Sequence, residues 1–166
     1  MVFVIFFSIF SVFLPVEVCK GEEGKTLIVQ TDGGGNFTCI QDAIDEAAFG
    51  DTIYVRPGAY YENLVVNKTI SLVGEDRNTT IINGNNSGYY TILIQVNGVN
   101  ISGFTIQNST VGVYVGGNKS INNTIIKNNI INNNKGGIFL GNFSNNNVIS
   151  KNIITNNSGE GIRLFR

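Results

Sequence analysis

The chain has 166 residues, a formal net charge of −1, 14% charged residues and no histidine. That balance supplies no basic stripe for nucleic acid and no polybasic membrane patch, and the length suits a single domain. Asparagine makes up roughly 15% of the chain and glycine is frequent; both tolerate left-handed backbone, so they can turn a chain many times.

Val2 to Leu14 is almost wholly apolar, about 13 residues, which is the length of a signal-peptide core and short for a membrane span. Cys19-Lys20-Gly21 places small residues at the two positions a signal peptidase reads. Residues 1–21 are therefore expected to be an export signal or an uncleaved anchor, and the protein to be secreted or held at the cell surface. Once the signal is removed, Cys39 is the one remaining thiol, so no intrachain disulfide framework is expected and Cys39 reads as a small core residue. Asp32-Gly33-Gly34-Gly35-Asn36 reads as a turn. It carries two oxygen side chains of the kind calcium accepts, but it lacks the Lys-Ser/Thr ending of a phosphate loop.

A capping segment is expected over about residues 25–50. Thr38-Cys39-Ile40-Gln41 has the form of a capping box, and Ile40, Ala43, Ile44, Ala47 and Ala48 follow the spacing of one apolar helix stripe, with Gly50 as its stop. Such a helix would cover the open first coil of a stacked sheet structure. Short strands follow at Thr52 to Arg56, Leu64 to Val66, Ile70 to Val73, Ile81-Ile82, Ile92 to Ile94 and Ile101 to Ile106, cut by Asn, Gly or charged turns.

From about residue 99 the chain repeats. FTIQNSTVGVYVGG, NIINNNKGGIFLGN and NIITNNSGEGIRLF align from Phe104, Asn129 and Asn152 with a period of about 23 to 25 residues, the range of a solenoid coil. Ile106, Ile131 and Ile154 fall in one column, Ile101, Ile126 and Ile149 in another, and the pairs Val113/Val115, Ile138/Leu140 and Ile162/Leu164 close the units. No unit could bury its apolar face alone, whereas stacked units share a core. The expected fold is all-β: a right-handed parallel β-helix over residues 22–166 with a short N-terminal amphipathic capping helix. Asn108, Asn133 and Asn156 are expected to stack as a structural ladder. The alternation that turns Val113 and Val115 inward turns Tyr114 outward, and likewise Phe139, Arg163 and, one coil earlier, Leu93. Rows spaced at about 4.8 Å would make Tyr114, Phe139 and Arg163 a surface for sugar rings, with aromatic faces against C–H faces and Arg donating to hydroxyls or a carboxylate. Packing between neighbouring strands explains the same row without any ligand.

The stretch FTCIQDAIDEAAFGDTIYVRPGAYYENLVVNKTISLVGEDRNTTIING, Phe37 to Gly84, resembles the opening of right-handed parallel β-helix proteins of the NosD type within the pectin lyase-like superfamily, and more distantly that of pectin methylesterases. The N-x-I-x-x-N and G-I-x-L rungs resemble the parallel β-helix repeats of carbohydrate-binding and sugar-hydrolysis modules. The resemblance implies a β-helix on a cell surface. It also raises enzyme activities that need paired aspartates or acidic calcium ligands, and glycoside hydrolysis needs two carboxylates at a set separation. Here every Asp lies at or before Asp76, and beyond Arg77 the one carboxylate side chain is Glu160. Copper favours imidazole, thiolate and thioether, and the chain has no His, its single Met at the start and one Cys after export. No cofactor or metal is expected.

Ten N-x-S/T triplets occur, and Asn118, Asn122 and Asn142, in turn-like segments, are the glycosylation candidates. The sequence ends directly after the strand of its third clear coil, so the expectation is a fragment of a longer surface protein or end-to-end stacking through an uncapped coil. Two functions fit: a non-catalytic surface module binding polysaccharide or a surface glycoprotein, and the N-terminal piece of a carbohydrate-active enzyme such as a pectinesterase or polysaccharide lyase.

Overall fold

The computed structural model describes residues 24–117 and 120–165. The expected export signal, residues 1–21, and the glycosylation candidate Asn118 lie outside the described residues.

Strand β1 (Thr26–Val29) and helix α1 (Ile40–Glu46) precede five coils of three strands each. The first coil is β2 (Thr52–Val55), β3 (Gly58–Tyr60) and β4 (Leu64–Val66); the second is β5 (Ser71–Gly74), β6 (Thr80–Asn83) and β7 (Tyr90–Ile94). The third is β8 (Asn100–Ser102), β9 (Thr105–Gln107) and β10 (Val111–Val115). The fourth is β11 (Thr124–Ile126), β12 (Asn129–Ile131) and β13 (Gly136–Leu140), and the fifth is β14 (Val148–Ser150), β15 (Ile153–Thr155) and β16 (Glu160–Leu164). Equivalent strands pair in parallel as sheet A (β1-β2-β5-β8-β11-β14), sheet B (β3-β6-β9-β12-β15) and sheet C (β4-β7-β10-β13-β16). The architecture is the expected right-handed parallel β-helix, a solenoid of about six turns with one short helix.

Alternation builds the interior. Ile53, Leu72, Ile101 and Ile125 from sheet A, Ile82, Ile106 and Ile130 from sheet B, and Ile92, Val113 and Ile138 from sheet C are all fully buried. Each contributes roughly 1.5–3 kcal/mol of apolar burial. Ile101 to Ile106 is two strands rather than one, because Gly103 bends the chain at φ +82 between β8 and β9.

The structure shifts the repeat by one residue. Ile106 pairs with Ile130, not Ile131, and Ile101 with Ile125, not Ile126. Val113 and Ile138 do share a column, as do Ile138 and Ile162. The cause is the turn before β13, between Asn133 and Gly136. Asn133 Oδ1 accepts the N–H of Ser109, 24 residues earlier, whereas Val111 pairs with Gly136, 25 residues later, so one residue is inserted between them. Aligning the units on their sheet C strands carries that offset back into sheets A and B.

The same offset corrects the Asn ladder. Asn133 stacks with Ser109 and Asn157, whose Oδ1 accepts both the N–H and the Nδ2 of Asn133 at 2.9 and 3.0 Å. Asn108 and Asn156 instead occupy left-handed corner positions at φ 59 and 56. Two further ladders run beside it. Asn128 Oδ1 accepts the N–H of Phe104 at 3.0 Å and Asn152 Oδ1 that of Asn128 at 2.9 Å; Asn123 Oδ1 accepts from Val99 and Asn147 Oδ1 from Asn123, both at 2.8 Å. Each corner thus pairs a left-handed residue with an inward Asn that satisfies the backbone of the preceding coil.

The cap also differs in its chemistry. Thr38 makes no capping bond; the N-cap is Cys39 with no side-chain hydrogen bond, and the helix donors Ile40 N and Gln41 N go to Glu62 Oε1 and Oε2, each at 2.9 Å. A carboxylate takes both donors at once and adds a favourable charge at the helix start, which a hydroxyl cannot. Cys39 is exposed rather than buried, since it lies outside the helix face that covers the core. The covering face is Ile40, Ala43, Ile44 and Ala47, as expected, but the helix stops at Glu46 and Ala48 is exposed. The Asp51 carboxylate ends it by accepting the N–H of Ala48 at 2.8 Å and of Lys25 at 2.7 Å; these bonds, Ala48's first, hold its pKa below the usual carboxylate range. The Gln41 side-chain amide pairs with the N–H and carbonyl of Val65, so it satisfies the open edge strand β4 as another strand would.

Candidate functional site

The outside of sheet C carries the aromatic residues. Register places Val65, Leu93, Tyr114, Phe139 and Arg163 in one outward column across five coils, the row expected from alternation. Their surroundings then diverge. Leu93, Tyr114 and Arg163 are half-buried, whereas Phe139 is only 2% exposed. The Phe165 ring meets Phe139 edge-on at 5.7 Å, and the Arg163 guanidinium stands 5.8 Å from the Phe139 ring and 4.6 Å from that of Phe165. Phe139 is therefore not an open contact surface but the buried floor of an exterior apolar layer, as packing between neighbouring strands alone explains. Val111 is likewise fully buried without joining the interior cluster.

Tyrosines that alternation alone does not reveal extend this layer. Tyr90 stacks on Tyr114 with centroids 4.6 Å apart and planes at 23°, and Tyr89 meets Tyr90 edge-on at 4.8 Å. Lys135 Nζ donates to the Tyr89 hydroxyl at 3.2 Å. Burial first, then the Tyr114 and Tyr89 hydroxyls beside it, raises the Tyr90 pKa. Glycines make the bed: a β-carbon at Gly116 would collide with the Tyr114 ring, and one at Gly136 with that of Phe139.

Beside Tyr114, at the corner where sheet C turns back to sheet A, lies an open groove of about 430 Å³ lined by Tyr114, Gly117, Asn142, Phe143 and Phe165. Its volume lies within the range of small-ligand pockets, about 300–1,000 Å³. Phe143 is 74% exposed and holds φ +65, a conformation bulky residues rarely adopt. The turn keeps a large apolar ring in water on a strained backbone, where Asn or Gly would sit more easily. Asn142 is exposed at the groove's rim, and Ser144 of its N-x-S triplet donates to the Val115 carbonyl at 2.9 Å. Asn122, the other described glycosylation candidate, is an exposed left-handed corner residue at φ 56. Glu160, the single late carboxylate, lies 3.5 Å from Arg163 on this face.

A family model described as periplasmic copper-binding protein (NosD) matches residues 44–165. The chain belongs to the NosD family. This NosD-family chain is 35% identical over 129 residues to a cell surface glycoprotein of Methanothermus fervidus, covering 76% of the chain and 21% of that relative. It is 32% identical over 110 residues to a probable pectinesterase/pectinesterase inhibitor of Arabidopsis thaliana, covering 53% of the chain and 20% of the relative. The chain thus spans about a fifth of the length of these relatives. Among solved structures, pectin methylesterase from carrot shares the fold with a TM-score of 0.55 at 21% identity, covering 71% of the chain and 47% of that structure.

The copper in the family's description does not fit the donors present. The NosD-family sequence has no histidine, the described residues bring together no group of three His, Cys, Asp or Glu side chains, and Cys39 stands exposed with no such group around it. A copper centre needs several nitrogen or sulfur donors on one side of the ion.

Proposed function

We propose that this chain is an exported or cell-surface β-helix module that binds carbohydrate, either polysaccharide or the glycan of a neighbouring surface protein, on the outside of sheet C without catalysing its turnover. The observation that carries the reading is the groove at Tyr114, where Phe143 is held exposed on strained backbone and lines the same space as Asn142 and Phe165. Aromatic faces receive the C–H face of a sugar, and the Asn142 amide and the Arg163 guanidinium offer hydrogen bonds to its hydroxyls. The relatives support the location: one is a cell surface glycoprotein and the matching family is described as periplasmic.

The test is a glycan-array screen of the intact chain beside a Tyr114→Ala/Phe143→Ala double variant with unchanged circular dichroism. The reading expects binding to selected glycans by the parent that the variant loses. Equal binding by both proteins, or none by the parent at ligand concentrations of about 1 mM, contradicts it. The enzyme alternative rests on the pectinesterase relatives and expects methanol release from methyl-esterified pectin, which the module reading does not. A glycan found covalently on Asn142 would cover the groove and also count against free-sugar binding there.

A further inference from the structure

From Gly98 onward the three corners of each coil use one turn, and its left-handed residue recurs every 24 positions. Between sheets B and C that column is Asn108, Asn132 and Asn156, at φ 59, 56 and 56. Between sheets C and A it is Gly98, Asn122 and Asn146, at φ 69, 56 and 56. Between sheets A and B it is Gly103, Lys127 and Lys151, at φ 82, 57 and 56. Asn and Gly meet the backbone requirement at two corners, so geometry does not call for lysine at the third.

The lysines are also unpaired. Both are exposed, and among the described residues the ion pairs are Arg56 with Glu75 and Arg163 with Glu160. The nearer acids are engaged: Glu75 holds Arg56 at 2.8 Å, and Asp76 Oδ1 accepts the N–H of Asn78 at 2.7 Å. Adjacent coils bring the backbones of Lys127 and Lys151 to about 4.8 Å, so two like charges repeat with no ion-pair partner of their own among the described residues. Above them the column is bare. Gly74 and Gly103 approach so closely that a β-carbon on either would strike the other's carbonyl. The result is a groove of about 590 Å³ along the solenoid, with Glu75, Asp76, Arg77, Asn78 and Ser102 on its walls and Lys127 and Lys151 at one end; its three cations outnumber its two carboxylates, and Glu75 is already held by Arg56.

We propose that this corner is a second binding site, separate from the aromatic groove, which takes an anionic glycan running along the solenoid with its sulfates or carboxylates on Lys127 and Lys151. The repeat of about 4.8 Å is close to one sugar unit, and ammonium groups bind such anions as point charges. Asn78 and Ser102 supply the amide and hydroxyl that sugar hydroxyls need. A nucleic acid is the poorer fit for a chain of net charge −1.

The test titrates the intact chain with dextran sulfate, alginate, neutral dextran and single-stranded DNA, beside a Lys127→Asn/Lys151→Asn variant. Asn is the residue this turn carries at the other corners, so the variant should keep the fold. The parent is expected to bind dextran sulfate or alginate but not dextran, more weakly as salt rises, and the variant to bind about tenfold or more weakly. Sulfate against alginate separates sulfate from carboxylate recognition. Equal binding by the variant, no binding of either polyanion by the parent, or tighter binding of DNA would overturn the proposal. Neutral glycans report on the aromatic groove alone, and the lysine variant should bind any such ligand as the parent does, so the two sites stand or fall separately.

Discussion

The inside and the outside of this solenoid obey different rules. Inside, each coil repeats its neighbour: Ile101 lies over Ile125, Ile106 over Ile130, and Val113 over Ile138. Each inward Asn serves the backbone of the coil before it. Outside sheet C the column changes at every step, from Val65 to Leu93, Tyr114, Phe139 and Arg163. A position under stacking constraint must resemble its neighbours, since any change in volume or hydrogen bonding is felt by the coils on both sides. An exterior position is free of that constraint, so an unusual residue there needs its own explanation. Phe139 has one in packing under Phe165 and Arg163. Phe143, Lys127 and Lys151 have none in packing, which is why the proposed sites are placed on them.

Substitutions can break the contrast from its strongest side first. Ile101→Ala opens a cavity in the shared interior and should destabilise by about 2–5 kcal/mol in denaturant titrations. A loss below about 1 kcal/mol would mean that the coils do not share one packed core. Asn133→Ala removes the acceptor for Ser109 N and the amide that donates to Asn157 Oδ1 and the Ile131 carbonyl, which should lower stability by about 1–3 kcal/mol. Asn156→Ala, at the left-handed corner one residue before the ladder member Asn157, should lose no partner of that kind, and its loss should come from the left-handed backbone alone. If the two variants melt alike, the ladder assignment is wrong.

Acid should act at the capped end. Because the folded-state pKa of Asp51 is lowered, its contribution to stability is present above the ordinary carboxylate value and is lost as pH falls through the folded one. The melting temperature of the parent should therefore fall below about pH 4, and Asp51→Asn should begin lower and flatten part of that decline. A parallel decline in the variant would place the acid-sensitive group elsewhere. Phe143→Gly should have the smallest effect on folding and the opposite sign, because glycine relieves the left-handed strain at φ +65 and exposes less apolar surface.

Much of the fold was legible because the Ile and Val alternation is a local signal, and so was the outward phase of Tyr114, Phe139 and Arg163. The register was not, because a single residue inserted between Asn133 and Gly136 lies in a run of turn-forming residues where no side chain marks the gap. Glu62 as the helix cap was invisible for a different reason: it reaches Ile40 from 22 residues away, across the first coil. The burial of Phe139 depends on ring and guanidinium positions supplied by the next coil, which alternation does not encode. Phe143 carried a readable signal, a large aromatic residue inside the Gly-Asn-Phe-Ser turn, but only its backbone angle sets it apart from a core residue.

The most direct measurement is calorimetric titration of the intact parent and Phe143→Gly with the glycan the parent binds best, together with both melting temperatures. The account predicts affinity weaker by about tenfold in a variant that melts no lower than its parent. Unchanged affinity in that variant, or a parent that binds no glycan at millimolar concentration, would contradict it.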